Sequence, residues 1–212
     1  MSVLSSAPLT HVLSRLGLHQ GPAGTPTSRE WTLDALAGRM VEISSAETSA
    51  SLTAATRLIL EAQERGEPAA WIASGSSCFY PPDVAASGVD LDALIVVRSG
   101  DTARTARAAD HLLRSGGFGV LILDLCEDAR LRMSVQSRLS GLANTHRSAV
   151  VCLTRKRADA PSIGSLVSIR GETSVARTEF DSFAWEINVI KDKRRGPGWR
   201  HAGACRGPDG LH

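Results

Sequence analysis

The sequence predicts an α/β fold, with a mainly parallel, twisted sheet, helices on both of its faces, and an antiparallel extension at one edge. Over residues 40–153, short apolar segments of strand length alternate with segments whose apolar residues recur at helical spacing. Such alternation is typical of crossover units, which cover both faces of a parallel sheet with helices. Two further strand-like segments then follow without a helix between them, which favours antiparallel pairing at the edge.

The predicted elements follow one another regularly along the chain. Strands are predicted over 40–43, 70–73, 94–97, 119–125 and 149–153. The helices that separate them are predicted over 51–65, 102–114 and 127–142. The last two strands are predicted over 166–170 and 185–190, with a turn at Gly171 and Glu172 between them.

The two ends of the chain are predicted to lie outside this core. Residues 1–30 are predicted as a short helix, followed by a linker over 21–26 that is rich in Gly and Pro. The core is predicted over 31–193, and residues 194–212 are predicted as a flexible basic tail because of their many glycines. Residues 191–212 hold six Lys and Arg against two Asp, a net +4, so the other 190 residues sum to −2.

The composition is that of a globular protein that does not enter a membrane. Hydrophobic residues make up 42% and charged residues 22% of 212, and no apolar run approaches the length of a membrane span. The first residues lack the pattern of a signal peptide, so a cytoplasmic location is predicted. The four cysteines lie far apart in the sequence, which predicts reduced thiols without a metal or a disulfide.

The segment from Gly38 has the arrangement of a phosphate-binding loop without the residues that bind phosphate. An apolar strand runs into a small-residue turn and then a helix, as in G-x-x-x-x-G-K-[ST] loops. On that frame Ser45 and Ala50 take the glycine places, Ser51 the lysine place and Leu52 the hydroxyl place. The cation and the Mg²⁺ ligand are therefore missing, which predicts that the chain binds no nucleotide cofactor. The alternative is an ordinary strand–turn–helix that never bound nucleotide.

Four segments in a common order resemble the ATPase core of RecA-type recombinases, over about residues 32–193. The first is G-R-M-V-E-I at 38–43, followed by Glu47, Thr48 and Ser49 at the positions of the family's E-S-S. The others are S-G-V-D-L-D-A-L at 87–94, R-S-G-G-F-G-V-L-I-L-D ending at Asp124, and I-N-V-I-K-D-K at 187–193. The resemblance implies a RecA-like core in which Asp124 is the remnant of the Walker B aspartate.

The chain departs from this family wherever the family carries its chemistry. The resemblance implies a carboxylate that activates water after the second strand, but residues 71–76 contain none. It implies two DNA-binding loops, of which only 125–127 and a few residues after 154–157 remain. Asp124 is either a leftover Mg²⁺ ligand or simply a hydrogen-bonded carboxylate at a strand end. Because phosphoryl transfer depends on these positioned charges, a non-catalytic protein is predicted.

Degenerate RecA-like chains of this size resemble the ImuA-type accessory proteins of bacterial SOS mutagenesis, and V-I-K-D-K-R-R-G-P-G at 189–198 resembles the end of their core. This resemblance implies a role in the DNA-damage response and in translesion synthesis. It implies two partners, a RecA-type recombinase and an inactive Y-family-like polymerase subunit, with weak or no direct DNA binding. Two alternatives are a damage-induced cell-division inhibitor on the same fold and a divergent ATPase that recruits Arg155 or Lys156.

Three surfaces are candidates for partner binding. The N-terminal helix would either dock on a recombinase filament or pack on its own core through Leu9, Val12, Leu13 and Leu16. The cationic run over 155–157 would either contact phosphates or form an ordinary solvated loop. In the basic tail, Trp199 would anchor in a partner, stack on a base or stay in solvent. The tail candidates are Lys191, Lys193, Arg194, Arg195, Trp199 and Arg200.

Lys191 and Lys193 also match recombinase lysines that reach the ATP of a neighbouring subunit. In this chain they would act on a partner's nucleotide or on acidic side chains.

Overall fold

A computed structural model of the chain describes residues 30–45, 50–75, 77, 79–125, 129–179 and 182–206. The helices of this part are α1 (Leu33–Leu36), α2 (Ser51–Glu64), α3 (Pro81–Ala86), α4 (Thr102–Arg114) and α5 (Met133–His146). The strands that precede the edge extension are β1 (Met40–Ser45), β2 (Ala69–Ala73), β3 (Leu94–Arg98), β4 (Val120–Asp124) and β5 (Ala149–Arg155). The remaining strands are β6 (Ile169–Glu179), β7 (Ser182–Asp192) and β8 (Trp199–Arg206).

These strands form one sheet in the order β3-β2-β4-β5-β1-β6-β7-β8. Strands β1 to β6 all run parallel to one another, whereas β7 pairs antiparallel with both β6 and β8. The predicted α/β class, with a mainly parallel sheet and an antiparallel edge extension, is confirmed. Strand β1 lies in the middle of the sheet, between β5 and β6, and all six of its residues are buried.

The sheet separates two apolar clusters, one on each face. Side chains of α1, α2 and α3 pack on the first face, where Leu58 and Trp71 are fully buried. Side chains of α4 and α5 pack on the second face, against residues such as Leu121. Burying one leucine contributes about 1.5–3 kcal/mol, so these two clusters hold the helical layers to the sheet.

Helix α5 begins later than the sequence predicts. The predicted start lies in the range 126–128, outside the described residues, and the helix begins at Met133. The residue before it, Arg132, is extended, with φ −61° and ψ 147°. Just upstream, the Leu131 carbonyl accepts a hydrogen bond from the side chain of Gln136 and its N–H donates to Ile163. These tertiary contacts hold residue 131 outside the helix although it fits the apolar spacing.

The predicted turn at Gly171 and Glu172 is wrong, since both residues lie inside β6. Gly171 pairs with Val189 across the antiparallel ladder. A Cβ at position 171 would clash with Cγ2 of Ile187 and would lie 3.2 Å from the Trp31 ring. The glycine is therefore required for close packing rather than for a change of chain direction.

The predicted flexible tail is also wrong for the residues that the structure describes. Residues 199–206 form β8 and pair with β7 from Ser182 to Val189. Gly196 and Gly198 have φ of +76° and +92°, which lets the chain turn tightly between the two strands. Their N–H groups donate to the carbonyls of Asp192 and Val189. Residues 207–212, and the predicted N-terminal helix and linker, lie outside the described residues.

Within the described part of the chain, no helix has the length and apolar character needed to cross a bilayer. Cys152 and Cys205 are free thiols, and Cys78 and Cys126 lie outside the described residues.

His201, on β8, forms a hydrogen bond with Trp31, near the start of the described part of the chain. The backbone N–H of Trp31 donates to Nδ1 of His201, 3.4 Å away, and the Trp185 ring lies 5.5 Å from the imidazole. Burial lowers the pKa of His201 below its ordinary value of 6.5; the Glu30 carboxylate opposes this shift and Arg57 adds to it. The neutral imidazole, which can accept the bond from Trp31, is thus favoured in the folded chain.

Acidification should therefore weaken the fold through His201. Below 6.5 the unfolded chain binds a proton at this residue more readily than the folded chain does. The stability that the neutral imidazole gives is present above 6.5 and is lost as the pH falls through the lower folded pKa. Urea unfolding at pH of about 7.5 and about 5.5 should show this loss in the wild type and a smaller loss in His201→Phe. The control His111→Ala, at an exposed site, should lose as much stability on acidification as the wild type. If His201→Phe loses as much stability as His111→Ala, the prediction is contradicted.

Candidate functional site

The candidate site is the side of the sheet that is formed by the carboxyl ends of its parallel strands. Because β1, β5, β4 and β2 run parallel, their carboxyl ends meet there. Ser45 lies beside Arg155, and Asp124 lies between Leu153 and Ala73 in the strand register. In open α/β sheets this edge is the usual place for ligands, so the strand–turn–helix predicted from the sequence lies where a phosphate loop would have to be.

The described ends of that loop are small and buried. Ser45 ends β1, Ala50 precedes α2 and Ser51 is its first residue, and all three are buried. Leu52 packs against the apolar cluster at the place where a working loop has a hydroxyl. Ala50 provides no side-chain cap for α2. Glu47, Thr48 and Ser49 lie outside the described residues.

Asp124 is bound to the segment that follows β2. Its Oδ2 accepts a hydrogen bond from Ser77 Oγ at 2.5 Å, and its backbone carbonyl accepts one from Ser74 N. Ser74, in the stretch 71–76 where the recombinase resemblance implies a carboxylate, is buried. Among the described residues, no group of three His, Cys, Asp or Glu side chains could hold a metal ion. Asp124 is thus a hydrogen-bonded carboxylate at a strand end, and the alternative that it is a leftover Mg²⁺ ligand stays a prediction.

A buried charge network beside this edge was missed by sequence reasoning. Glu42, in the centre of β1, is fully buried and forms an ion pair with Lys156 at 2.7 Å. Thr154 Oγ1 donates to Oε1 of Glu42 at 3.0 Å, and Ile163 N donates to Oε2 at 3.2 Å. A glutamate inside the otherwise apolar M-V-E-I strand is the sequence signal for this network, because a buried carboxylate needs partners. Lys156 is thereby held by Glu42 inside the fold.

Arg170, on β6, fixes the connection between β5 and β6. Its Nη2 donates to the Arg157 carbonyl at 2.7 Å, its Nη1 donates to the Ala160 carbonyl, and its Nε donates to Ser44 Oγ at 3.2 Å. Lys193 Nζ donates to the Ser165 carbonyl at 2.7 Å farther along the same connection. The segment in the place of the second recombinase DNA loop is therefore bound to core side chains.

The candidate residues near the end of β7 lie at the opposite side, where the parallel strands begin. The end of β7 pairs with the start of β6 through Asp192 and Ile169, and Ile169 lies beside Val41 near the start of β1. The cations that follow Asp192 are therefore far from the loop at the other end of β1. They are Lys193, Arg194 and Arg195, all exposed. Lys191, just before them, is half-buried, and burial together with Lys193 lowers its pKa.

Trp199 and Arg200 have different positions in β8. Trp199 is only 4% exposed, its ring lies 6.2 Å from that of Trp31, and its Nε1 donates to Oδ2 of Asp192. It is part of the protein's own core, so the prediction that it anchors in a partner or stacks on a base is wrong. Arg200 stays half-exposed and forms a cross-strand ion pair with Glu186 at 3.3 Å.

A second buried ion pair joins the end of β7 to the residue just before β1. Arg39 Nη2 lies 2.6 Å from Oδ1 of Asp192, and both side chains are buried. Arg39 also donates to Oγ and the carbonyl of Ser168. Burial alone would raise the pKa of Asp192, but the N–H of Arg194 and the Arg39 guanidinium outweigh it and lower that pKa. The aspartate of the K-D-K sequence thus has a structural role.

The order of the strands and the mainly parallel sheet define a RecA-like α/β protein. Residues 34–146, just over half of the chain, match the family described as RecA N-terminal domain, and the chain belongs to that family.

Individual relatives match over a shorter stretch. Protein RecA of Clostridium acetobutylicum is 36% identical over 87 residues, which are 41% of this chain and 25% of that protein. Protein RecA of Kineococcus radiotolerans is 38% identical over 88 residues, again 41% of this chain and 25% of the relative. The chain therefore spans about a quarter of the length of the curated relatives it matches.

Proposed function

We propose that this chain is a non-catalytic accessory protein of the DNA-damage (SOS) response. In this proposal it binds a RecA-type recombinase and the inactive Y-family-like polymerase subunit of a translesion assembly. It would thereby modulate recombinase filaments and error-prone DNA synthesis. Membership of the RecA N-terminal domain family supports the connection to DNA repair. The resemblance of residues 189–198 to ImuA-type proteins supports the accessory role.

The observation that carries the proposal is the chemistry of the carboxyl edge of the sheet. The sequence from Ser44 to Leu52 contains no lysine, and Ser45 and Ala50 replace the loop glycines. One of the two cations of the divergent-ATPase alternative, Lys156, is paired with the buried Glu42 at 2.7 Å. Moving it to a triphosphate would take the closest cation away from the buried Glu42 and leave only Arg170, whose Nε lies 3.9 Å from Oε2, which costs free energy. These observations support a RecA-like core that keeps the fold but lacks the residues that bind a triphosphate.

The partner surface that fits this function is the turn between β7 and β8. Lys193, Arg194 and Arg195 are exposed there, and the tightly paired strands on either side fix their position. A rigid group of cations suits an acidic surface on a recombinase or polymerase subunit. The helix predicted at residues 9–16 remains a second candidate for the same partners.

Nucleotide titration and a binding screen against the host's own recombinase test this function together. Calorimetry with ATP and Mg²⁺ should show no binding to the wild-type chain, whereas the recombinase should bind it. Reversing charge at the turn, with Arg194→Glu and Arg195→Glu together, should weaken recombinase binding by about tenfold or more. The matched control Arg57→Glu, at an exposed position on α2, should leave the affinity unchanged.

Two outcomes would overturn the proposal. ATP binding and hydrolysis that Asp124→Ala abolishes would assign the chain to the divergent ATPases. A chain that binds neither the recombinase nor any translesion subunit, but arrests division and binds the tubulin-like division protein, would establish the division-inhibitor alternative.

A further inference from the structure

The turn between β7 and β8 concentrates positive charge that its own carboxylate does not neutralise. Residues 191–195 hold four cations and one carboxylate, and that carboxylate, Asp192, is buried against Arg39 at 2.6 Å. Its Oδ1 also accepts a hydrogen bond from Arg194 N at 2.9 Å, so it faces the core rather than the exposed side chains of the turn. Among the described residues, Lys193 and Arg194 form no ion pair.

The crowding of these cations affects the pKa values of their neighbours. Burial lowers the pKa of Lys191, and the charge of Lys193 lowers it further. Burial also lowers the pKa of Arg39; its carboxylate partner opposes that shift, and the charges of Arg194 and Arg195 add to it. An added negative charge at this turn would stabilise the charged forms of these groups.

An exposed methionine lies next to the turn. Met133 is the first residue of α5, and it is 57% exposed. Ser165 joins it to the turn, because Ser165 Oγ donates to Met133 Sδ at 3.7 Å and the Ser165 carbonyl accepts a hydrogen bond from Lys193 Nζ at 2.7 Å. We call Met133, Ser165, Lys193, Arg194 and Arg195 the composite surface. Methionine and arginine are both enriched at protein interfaces, and a flexible thioether adapts to the shape of a partner.

The two terminal segments outside the described residues are poor partners for the composite surface. Residues 1–29 contain two arginines and no Asp or Glu. Residues 207–212 contain one Asp, but they follow Arg206, which pairs with Ser182 at the far end of β7 from the turn. Strand β8 spans about 23 Å, whereas six extended residues reach about 20 Å, so this Asp does not return to the cations. A second molecule is therefore the better source of negative charge.

A protein segment fits the composite surface better than a nucleic acid does. Phosphates would pair with the cations, but the apolar side chain of Met133 gains only from burial against another apolar group. Single-stranded nucleic acids also stack their bases on aromatic side chains. In the described part of the chain, the exposed aromatic residue is Tyr80, before α3 on the other face of the sheet, and Trp199 beside the turn is buried.

We propose that the composite surface binds an extended acidic segment of the partner protein, with carboxylates on Lys193, Arg194 and Arg195 and an apolar side chain on Met133. The partner is that of the proposed function, on which the inference therefore rests. Only Ser165 separates Lys193 from Met133, a distance that two or three residues of an extended chain would span at about 3.3 Å each. One short segment can thus place a carboxylate and an apolar side chain at the same time.

Fluorescence polarisation with two labelled peptides tests the proposal. The leucine probe has about twelve residues, enough to cross the composite surface when extended, all Asp or Glu except one central leucine. The serine probe has serine in place of that leucine. The full wild-type chain should bind the leucine probe at about 50 mM NaCl and about tenfold more weakly at about 500 mM, because salt screens exposed charges.

Two variants separate the charged from the apolar contact. Arg194→Glu with Arg195→Glu should weaken the binding of both probes by about tenfold or more. Met133→Ser should weaken the binding of the leucine probe about fivefold, because the leucine loses its apolar partner. It should leave the serine probe unchanged, so that the two substitutions, in chain and probe, are not additive.

Two further variants are matched controls. Arg57→Glu reverses an exposed charge on α2, and Ile95→Ser removes an apolar side chain that is 45% exposed on β3. Neither should change the affinity for the leucine probe. Circular dichroism confirms that every variant is folded before it is compared.

The recombinase completes the test. Met133→Ser should weaken its binding about fivefold, and an excess of the leucine probe should displace it from the wild-type chain. A Met133→Ser variant that binds both probes and the recombinase like the wild type would overturn the proposal and leave the proposed function standing.

Two other outcomes are distinct from that one. A labelled oligonucleotide that binds more tightly than the leucine probe, and equally well to Met133→Ser, would overturn the proposal and assign the cations to phosphates. If both probes behave as expected but neither the recombinase nor a translesion subunit binds, the proposed function is overturned and the composite surface is confirmed as a site for an acidic protein segment.

Discussion

Replacing Asp192 with alanine should lower the free energy of unfolding by about 3–5 kcal/mol. The substitution leaves the Arg39 guanidinium, whose side chain is 1% exposed, without its carboxylate 2.6 Å away. An unpaired buried charge costs far more than the pair itself contributes, because its desolvation is no longer offset. The same change also removes the acceptors for Arg194 N and Trp199 Nε1.

Chemical denaturation of three variants separates this cost from that of an ordinary ion pair. Asp34→Ala removes the exposed pair between Asp34 and Arg65, which lie 2.7 Å apart, and should cost less than about 1 kcal/mol. Replacing both buried partners, with Arg39→Met and Asp192→Leu, should recover much of the loss. Equal costs for Asp192→Ala and Asp34→Ala would show that the Arg39 pair is not desolvated.

Acid unfolding gives a second measurement on the same residue. The pKa of Asp192 in the folded chain is lowered from 3.8, so the stability it adds is present above that value. This stability is lost as the pH falls through the lower folded pKa, because the unfolded chain takes up the proton first. Asp192→Asn should therefore lose less stability than the wild type on acidification from about pH 4.5 to about pH 2.5.

Replacing Trp199 with alanine should cost about 3–5 kcal/mol, which is the range for deleting a buried aromatic side chain. The ring is 4% exposed and packs on Trp31, so its removal leaves a cavity between β8 and the segment before α1. Trp199→Phe keeps most of the packing but loses the donor to Asp192, and should cost about 1–2 kcal/mol. Denaturant unfolding followed by circular dichroism measures both.

The control for Trp199 is its neighbour in the same strand. Arg200→Ala removes a half-exposed side chain, and its loss should stay below about 1 kcal/mol. A Trp199→Ala variant as stable as Arg200→Ala would mean that the ring is not part of the core, and would restore Trp199 as a candidate for partner contacts.

The parallel part of the sheet could be predicted from the sequence because local pattern and tertiary environment agree there. Helix α4 was predicted over the residues it occupies, since Asp101 caps its start and its apolar stripe matches its buried face. Strand β4 is an unbroken apolar run, as expected for a strand covered on both faces. The position of the candidate site could be predicted for the same reason. Ser45 and Asp124 are the last residues of two parallel strands, and the carboxyl ends of parallel strands lie together.

The edge extension could not be predicted in the same way, because its glycines have three different uses that look alike in a sequence. Gly196 and Gly198 permit a tight turn through positive φ. Gly203 lies under the Trp185 ring, to which a Cβ would come within 2.6 Å. Gly171 allows β6 to pass close to Trp31 and Ile187. As composition alone, these glycines favour disorder, whereas in the structure two of them permit a tight turn and the other two allow close packing.

By itself the sequence determined the α/β architecture, the absence of a lysine between Ser44 and Leu52, and the concentration of basic residues over 191–212, because periodicity and residue identity are local properties. Only the tertiary structure decided which charges are buried in pairs. Glu42 with Lys156, and Arg39 with Asp192, are separated by more than 100 residues and meet only when β1 is flanked by β5 and β6. Burial depends on what the rest of the chain places around a side chain, and no local pattern records that.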